Sequence, residues 1–311
     1  MFVVCGEALM DVFAAGDTAT GLALDARFGG SPFNVAVGLA RLAQPVAFFG
    51  ALSRGFLGER LMRALSDEGV DTASVARVDA PTTLGLVGLD SQGVPSYAFY
   101  GAGGADRQLG IEALALLPTE IRAVHLGSYA TVVEPVASTL RALVERAHPR
   151  TLICYDPNIR LNVEPDLARW RDTLQWMLPR THLLKVSEED LSLLMPDVGT
   201  PQFADAALRQ GVRLVVVTRG GDGAQAWTGC ASASVPAVAV PVVDTVGAGD
   251  TFQAALLTWL AEHGCLSIDA LGLMHEAPLR AALQFAVGAA AVTCSRRGAD
   301  LPRRSELTPA E

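Results

Sequence analysis

At 311 residues the chain is too long for a minimal domain and near the upper end for a single core, with room for a small appendage. Half of it is hydrophobic, aromatics make up only 6%, and there are 30 glycines, a composition suited to close helix-on-sheet packing rather than to a β-sandwich. The net charge of −9 and the lack of a dense Lys/Arg cluster argue against a nucleic-acid partner, and the pairs Arg296-Arg297 and Arg303-Arg304 read as solvated surface.

In chain order, residues 1–5 form a short apolar run and read as a strand, closed by Gly6. Residues 12–28 carry no helical pattern. From 32 to 42, Phe33, Val37 and Leu39 recur at helical spacing. A strand is predicted at 46–49, then a helix over 58–69 that ends at a glycine cap. Residues 82–90 and 94–100 are two extended runs joined by Asp90-Ser91-Gln92-Gly93, a hairpin signal. Strands follow at 124–126 and 152–155, with a helix over 135–147 between them. Further strands are predicted at 182–186, 212–218 and 238–243. Short apolar strands alternating with helices predict an α/β fold with a mostly parallel central sheet covered on both faces. The segments at about 12–28 and 82–104 would project from it as a small β-layer. No linker, repeat or low-complexity tract divides residues 1–311, so one domain is expected.

The five cysteines, Cys5, Cys154, Cys230, Cys265 and Cys294, are scattered, with no metal or redox spacing. Cys5, Cys154 and Cys294 lie in apolar stretches and are expected to be buried free thiols, which suits a reducing cytoplasm. No basic leader precedes the first strand, and Glu7 and Asp11 interrupt the apolar run. The longest apolar stretch, 281–294, contains Gln284 and Thr293 and falls short of the roughly 18 residues of a membrane span. A soluble, cytoplasmic protein is expected.

The chemistry concentrates at 244–252, Asp244-Thr245-Val246-Gly247-Ala248-Gly249-Asp250-Thr251-Phe252. Small residues at 247–249 let a phosphate approach the backbone, and the N–H groups of the following helix turn point at it. A carboxylate in that turn, Asp250, is where an acceptor hydroxyl would need a proton acceptor, although Asp250 reads equally as a helix-capping aspartate. No Gly-x-Gly-x-x-Gly follows the first strand and no Gly-x4-Gly-Lys-Ser/Thr occurs, which disfavours a dinucleotide fold and excludes a P-loop.

This nonapeptide resembles the C-terminal signature of the ribokinase-like (PfkB-type) sugar kinases. Gly29-Gly30-Ser31-Pro32-Phe33-Asn34-Val35-Ala36 is similar to the family's N-terminal signature. The order and wide separation of the two match, and the resemblance covers essentially the whole chain. It implies a ribokinase-like α/β fold with a small β-sheet lid and ATP-dependent phosphorylation of a sugar hydroxyl. Asp250 is then the catalytic base, and the backbone of Gly247, Ala248, Gly249 and Asp250 the anion hole.

The resemblance extends to other residues. Asp11, Gly29, Gly30 and Asn34 would bind the sugar, Phe99 would wall it, and Arg160, in Asp156-Pro157-Asn158-Ile159-Arg160, would sit near the sugar and the moving phosphate. By themselves these residues read as a turn aspartate, a tight turn before a helix, hairpin packing and a structural ion pair. Lys185-Val186-Ser187-Glu188 resembles the family's Asn-x-x-Glu segment, with Lys185 departing from the general form. Its Glu188 would organise Mg²⁺ through water. Thr218, Gly221 and Gly223, which also read as a hairpin turn, would line the ATP site. Carbonyls near Asp244 and Val246 are candidates for a monovalent cation such as K⁺.

Several segments look most like bacterial fructokinases, implying D-fructose as substrate. The nearest rival is a 2-keto-3-deoxygluconate kinase, for which a cation is expected just after the lid's aromatic pair; here Tyr100 is followed by Gly101-Ala102-Gly103-Gly104, with no Arg until Arg107. Other sugar or nucleoside kinases of the family, and a sugar- or nucleotide-binding regulator without catalysis, also remain open. Pairing of lids would give a homodimer, which the sequence leaves undecided.

Overall fold

The computed structural model describes residues 1–89 and 95–307, so the turn read at 90–93 lies outside the described residues. The chain opens with β1 (Phe2–Cys5) and a long hairpin, β2 (Leu9–Thr18) and β3 (Gly21–Gly29). Pro32 in its first turn starts α1 (Ser31–Arg41), which returns to β4 (Val46–Phe49). Next come β5 (Ala51–Ser53), α2 (Phe56–Asp67) and β6 (Ala76–Val78), then a second hairpin, β7 (Leu84–Leu89) and β8 (Pro95–Tyr100). Alternation resumes with β9 (Ala123–Gly127), α3 (Val136–Ala147), β10 (Leu152–Asp156), α4 (Leu167–Met177) and β11 (Leu183–Ser187). It continues through α5 (Glu188–Leu194), α6 (Thr200–Arg209), β12 (Leu214–Thr218), β13 (Ala224–Trp227) and β14 (Ser232–Val235). Three helices close the fold: α7 (Ala248–Glu262), α8 (Ile268–Gly272) and α9 (Glu276–Cys294).

The main sheet runs β14-β13-β12-β11-β10-β9-β1-β4. The six strands from β12 to β4 are parallel, and β13 and β14 add an antiparallel margin. Strand alternation divides the core in two. Phe2, Val4, Leu152, Cys154, Leu183, Leu214 and Val216 face one layer together with apolar residues of α1, α2, α7 and α9. Val3, Cys5, Ile153, Tyr155, Leu184, Val186, Val215 and Val217 face the other, with α3, α4, α5 and α6. Parallel strands covered on both sides in this way are apolar at nearly every position.

The expected strands at 46–49 and 152–155 and the helix over 32–42 form, with end shifts of a few residues, and the described parts of the two extended runs pair antiparallel as β7 and β8. The helix expected over 58–69 begins earlier, at Phe56, and stops at Asp67 before Gly69, which adopts φ 82°. The segment over 12–28 lacks helical pattern because it is a hairpin: β2 and β3 pair antiparallel, β2 pairs β7 in parallel, and β7 pairs β8 antiparallel, giving a separate four-stranded sheet.

One strand expectation fails. Residues 238–243 form no strand; Pro241 removes a ladder donor within it, and Val238, Val242 and Val243 are exposed. Cys5 and Cys154 are buried free thiols, whereas Cys294, at the end of α9, is partly exposed. The apolar stretch at 281–294 belongs to a longer helix: α9 has nineteen residues and the length and hydropathy to cross a membrane. In this fold it packs against α7 and β14, and half of its apolar window is buried.

Candidate active site

Ser31 and Asn34 lie one turn apart on α1, on the stripe that continues to Gly38. Asp250 and Ala254 form the matching stripe on α7. A Cβ at Gly38 would lie 2.8 Å from that of Ala254, so the two helices touch through this glycine. The close approach brings the N-terminal signature onto the C-terminal one. Ser31 Oγ donates to Asp250 Oδ1 at 2.7 Å, and Asn34 Nδ2 donates to Asp250 Oδ2 at 2.8 Å. Each carboxylate oxygen is thereby fixed by one donor and keeps a further lone pair for another. Of these three residues, Ser31 was not singled out from the sequence, although it stands inside the quoted signature.

Asp250 is the third residue of α7, whose N-cap Gly247 takes φ 78°. The amides of Gly247, Gly249 and Asp250 have no acceptor among the described residues. That of Ala248 does: it donates to the Thr245 carbonyl at 3.2 Å. Asp244 is committed to loop structure. Its Oδ1 accepts from Val246 N–H at 3.1 Å and its Oδ2 from Gly298 N–H at 2.8 Å, tying the turn before α7 to the loop after α9. Val246 is exposed in that turn.

Beneath the first turn of α7, the alternation that makes this sheet face apolar is broken on three adjacent strands by His125, Asp156 and Lys185, of which Asp156 ends its strand and the other two stand mid-strand. Lys185 is the only lysine in the chain and is 4% exposed. Its Nζ donates to Asp156 Oδ2 at 2.7 Å and lies 3.3 Å from where a Cβ on Gly249 would stand. Burial works against its charge, but the carboxylates of Asp156, Asp190 and Asp250 outweigh it and hold the ammonium above its usual range. Burial lifts Asp156 to about 6, with Lys185 opposing, so the pair is ionised at neutral pH. His125 is pushed down to about 3 by burial and by Lys185, and is neutral. Lys185→Met is expected to cost about 3 kcal/mol of stability, because it leaves a buried carboxylate without its partner. Urea denaturation read by near-UV circular dichroism measures this.

The four-stranded sheet forms the other wall. Asp11 on β2 lies over the backbone of Gly29 and Gly85, with Phe99 against the same glycine of β7. Phe99 meets the edge of Tyr129 at 5.8 Å between ring centroids. Burial lifts the Asp11 carboxyl to about 6; Arg160 draws it down and Asp250 adds to the rise, which brings all three into one electrostatic neighbourhood. Arg160 itself is exposed, and its Nη1 donates to its neighbour's carbonyl, Ile159, at 2.8 Å. Gly30, with φ 104°, packs on the Glu7 backbone.

On the remaining flank, Glu188 is exposed at the start of α5, and Ser187 pairs in register with Thr218 at the end of β12. The glycine loop after Thr218 is the β12–β13 hairpin. Gly223, with φ 90°, presses on the Val235 carbonyl and is explained by that turn, whereas Gly221 is exposed. Among the described residues no group of three or more His, Cys, Asp or Glu is placed to cage a metal.

These elements collect at the carboxyl edge of a parallel sheet, where α/β folds bind ligands. Residues 1–306 match the family model described as pfkB family carbohydrate kinase. A fructokinase of Rhizobium leguminosarum bv. trifolii is 33% identical over 308 residues, covering 99% of this chain and 92% of that protein. The crystal structure of a Vibrio cholerae O395 fructokinase in its fructose-, ADP- and calcium-bound form matches with a TM-score of 0.81 at 26% identity, over 98% of this chain and 96% of that one. The fructokinase of Xylella fastidiosa with bound ATP matches equally, with a TM-score of 0.81, 26% identity and the same coverage. The chain belongs to the pfkB family of carbohydrate kinases.

Proposed function

We propose that residues 1–311 form one kinase domain that transfers the terminal phosphoryl group of ATP to the primary hydroxyl of D-fructose, giving fructose 6-phosphate. The observation that carries this reading is the clamp of Ser31 and Asn34 on the two oxygens of Asp250, in the first turn of α7. Held there, Asp250 receives the sugar's hydroxyl as a hydrogen-bond donor and takes its proton late, as bonding to phosphorus develops. The amides of Gly247, Gly249 and Asp250 face the transferring group, and the helix dipole adds to them. Lys185 sits below as a fixed positive charge, with Thr218 and Gly221 along the nucleotide's side.

Mg²⁺ would be held chiefly by the nucleotide's phosphates, with Glu188 reaching it through water; an exposed carboxylate and the lack of a protein cage among the described residues suit a metal that arrives with ATP. Bound there, it would neutralise phosphate charge. A monovalent cation would rest on carbonyls near Asp244 and Val246. Asp11, Gly29, Gly30, Asn34 and Arg160 bind the sugar in this reading, under Phe99. Leu22, Leu24 and Phe28 on the edge strand β3 are exposed and apolar, which supports pairing of two lids into a homodimer.

A coupled assay for ADP release across a sugar panel tests the assignment. Stimulation by fructose is expected, and thermal stabilisation by sugar without turnover would instead mark a binding protein. The panel includes 2-keto-3-deoxygluconate, because the Arg107 guanidinium lies 5.7 Å from the Tyr129 ring, near the pocket wall, where a substrate carboxylate could meet it.

Asp11 gives a pH signature. Ionised, it only accepts, as two sugar hydroxyls require; protonated, it loses an acceptor site. The KM for fructose is expected to rise about tenfold per unit as pH falls below about 6, and to lose this dependence in Asp11→Asn. Folding responds with the opposite sign: a carboxyl raised on folding favours the folded state at low pH, and that contribution fades as pH rises through about 6.

A further inference from the structure

A buried polar chain outside the reaction centre ties the four-stranded sheet to the body. Asp106, 1% exposed, stands in the turn that leaves β8. Its Oδ1 accepts from Thr83 Oγ1 at the foot of β7, and its Oδ2 accepts from Tyr129 OH at 2.8 Å. The Thr83 carbonyl accepts from Met10 N–H of β2 at 3.0 Å, and Ala105 N–H donates to the Pro81 carbonyl at 2.8 Å. The feet of three lid strands thus converge on one carboxylate.

The body's side of the tie is equally fixed. Tyr129 follows β9 through Ser128, a non-glycine residue at φ 54°, whose N–H donates to the Asp156 carbonyl at 3.1 Å. The ring of Tyr129 meets Phe99 nearly edge-on, at 82°. Phe99 in turn borders Gly85 beside Asp11. A carboxyl group between two hydroxyls is engaged at both oxygens, so each arm can be removed without orphaning the other.

We propose that Asp106 is a positioning residue: through Thr83 and Tyr129 it sets the lid feet and the Phe99 wall over the sugar, and so directs the phosphoryl group to the sugar rather than to water. This rests on the kinase reading above. Loss of either arm loosens the wall while leaving the amides of α7 and Lys185 in place. A loosened lid admits water beside the transferring group, and ATP is hydrolysed without sugar product.

The test compares Thr83→Val and Tyr129→Phe with Thr83→Ser, measuring the KM for fructose, the KM for ATP and the ratio of ADP to sugar phosphate formed. Thr83→Val and Tyr129→Phe are expected to raise the fructose KM about tenfold and the ratio above one, with the ATP KM within about twofold. Thr83→Ser, which keeps the hydroxyl, restores both. A wild-type fructose KM and ratio in folded Thr83→Val or Tyr129→Phe would overturn the role, as would an equal loss of affinity for fructose and ATP. Two independent arms keep the test decisive if one variant does not fold. Wild-type turnover of fructose in the same assay tests the substrate reading separately, and the coupling ratio applies to whichever sugar is turned over.

Discussion

Asp250→Asn is expected to lower kcat about a thousandfold while the protein stays folded and still binds sugar. The amide has the size of the carboxylate. It can turn its oxygen to the Asn34 amide and its nitrogen to Ser31 Oγ, so both neighbours keep a partner. What disappears is the capacity to take a proton. Asp250→Ala should be at least as inactive and also less stable, since it leaves the Ser31 hydroxyl and the buried Asn34 amide unpaired, at about 1–3 kcal/mol. Rates from ADP release, with sugar affinity from calorimetry, separate the two losses. Near-wild-type kcat in either variant would remove Asp250 from the role of base.

Gly247→Ala should bring the second large loss, about a hundredfold in kcat, with fructose affinity changed far less. Two costs combine at this N-cap. At φ 78° an L side chain is strained by about 1–2 kcal/mol, and the new methyl would stand 2.6 Å from the Ala299 Cβ. Relief requires the turn before α7 to move, and with it the amides that face the phosphoryl group. Adding Ala299→Gly removes the Cβ contact but leaves the backbone Cα of residue 299 at 2.9 Å and the strain, so the double variant should recover only part of the loss. No recovery would assign the effect to backbone strain together with the remaining contact on the residue 299 backbone. Wild-type activity in the single variant would show that the geometry of this turn is not critical.

The parallel core was legible because its strands are apolar at nearly every position and its helices carry periodic faces, as in β4 and α1. The misread stretch at 238–243 shows the limit. Its valines have the composition of a strand, but Pro241 interrupts any ladder, and the margin is built instead from β13 and β14, whose short alternating pattern at 224–235 is less apolar. The site was legible where chemistry is contiguous, at 244–252 and 29–36. It was not where partners are distant. Nothing local marks Asp156 as the counter-ion of Lys185, or Thr83, Asp106 and Tyr129 as one chain, since packing alone brings them together. Ser31 was overlooked for a related reason: a serine before a helix proline looks like an ordinary helix start, and its bond to Asp250 exists only once α1 has docked on α7.

The two hydrogen bonds that fix Asp250 span 219 and 216 residues. During synthesis at ~5–20 residues per second, α1 therefore waits roughly 10–40 s for the carboxylate it holds. In refolding from denaturant, contacts of such sequence separation bear a large loop-closure cost and form slowly. Helical signal should return first, burial of tryptophan next, and phosphoryl transfer last. A nascent or partly folded chain is in this way unable to consume ATP.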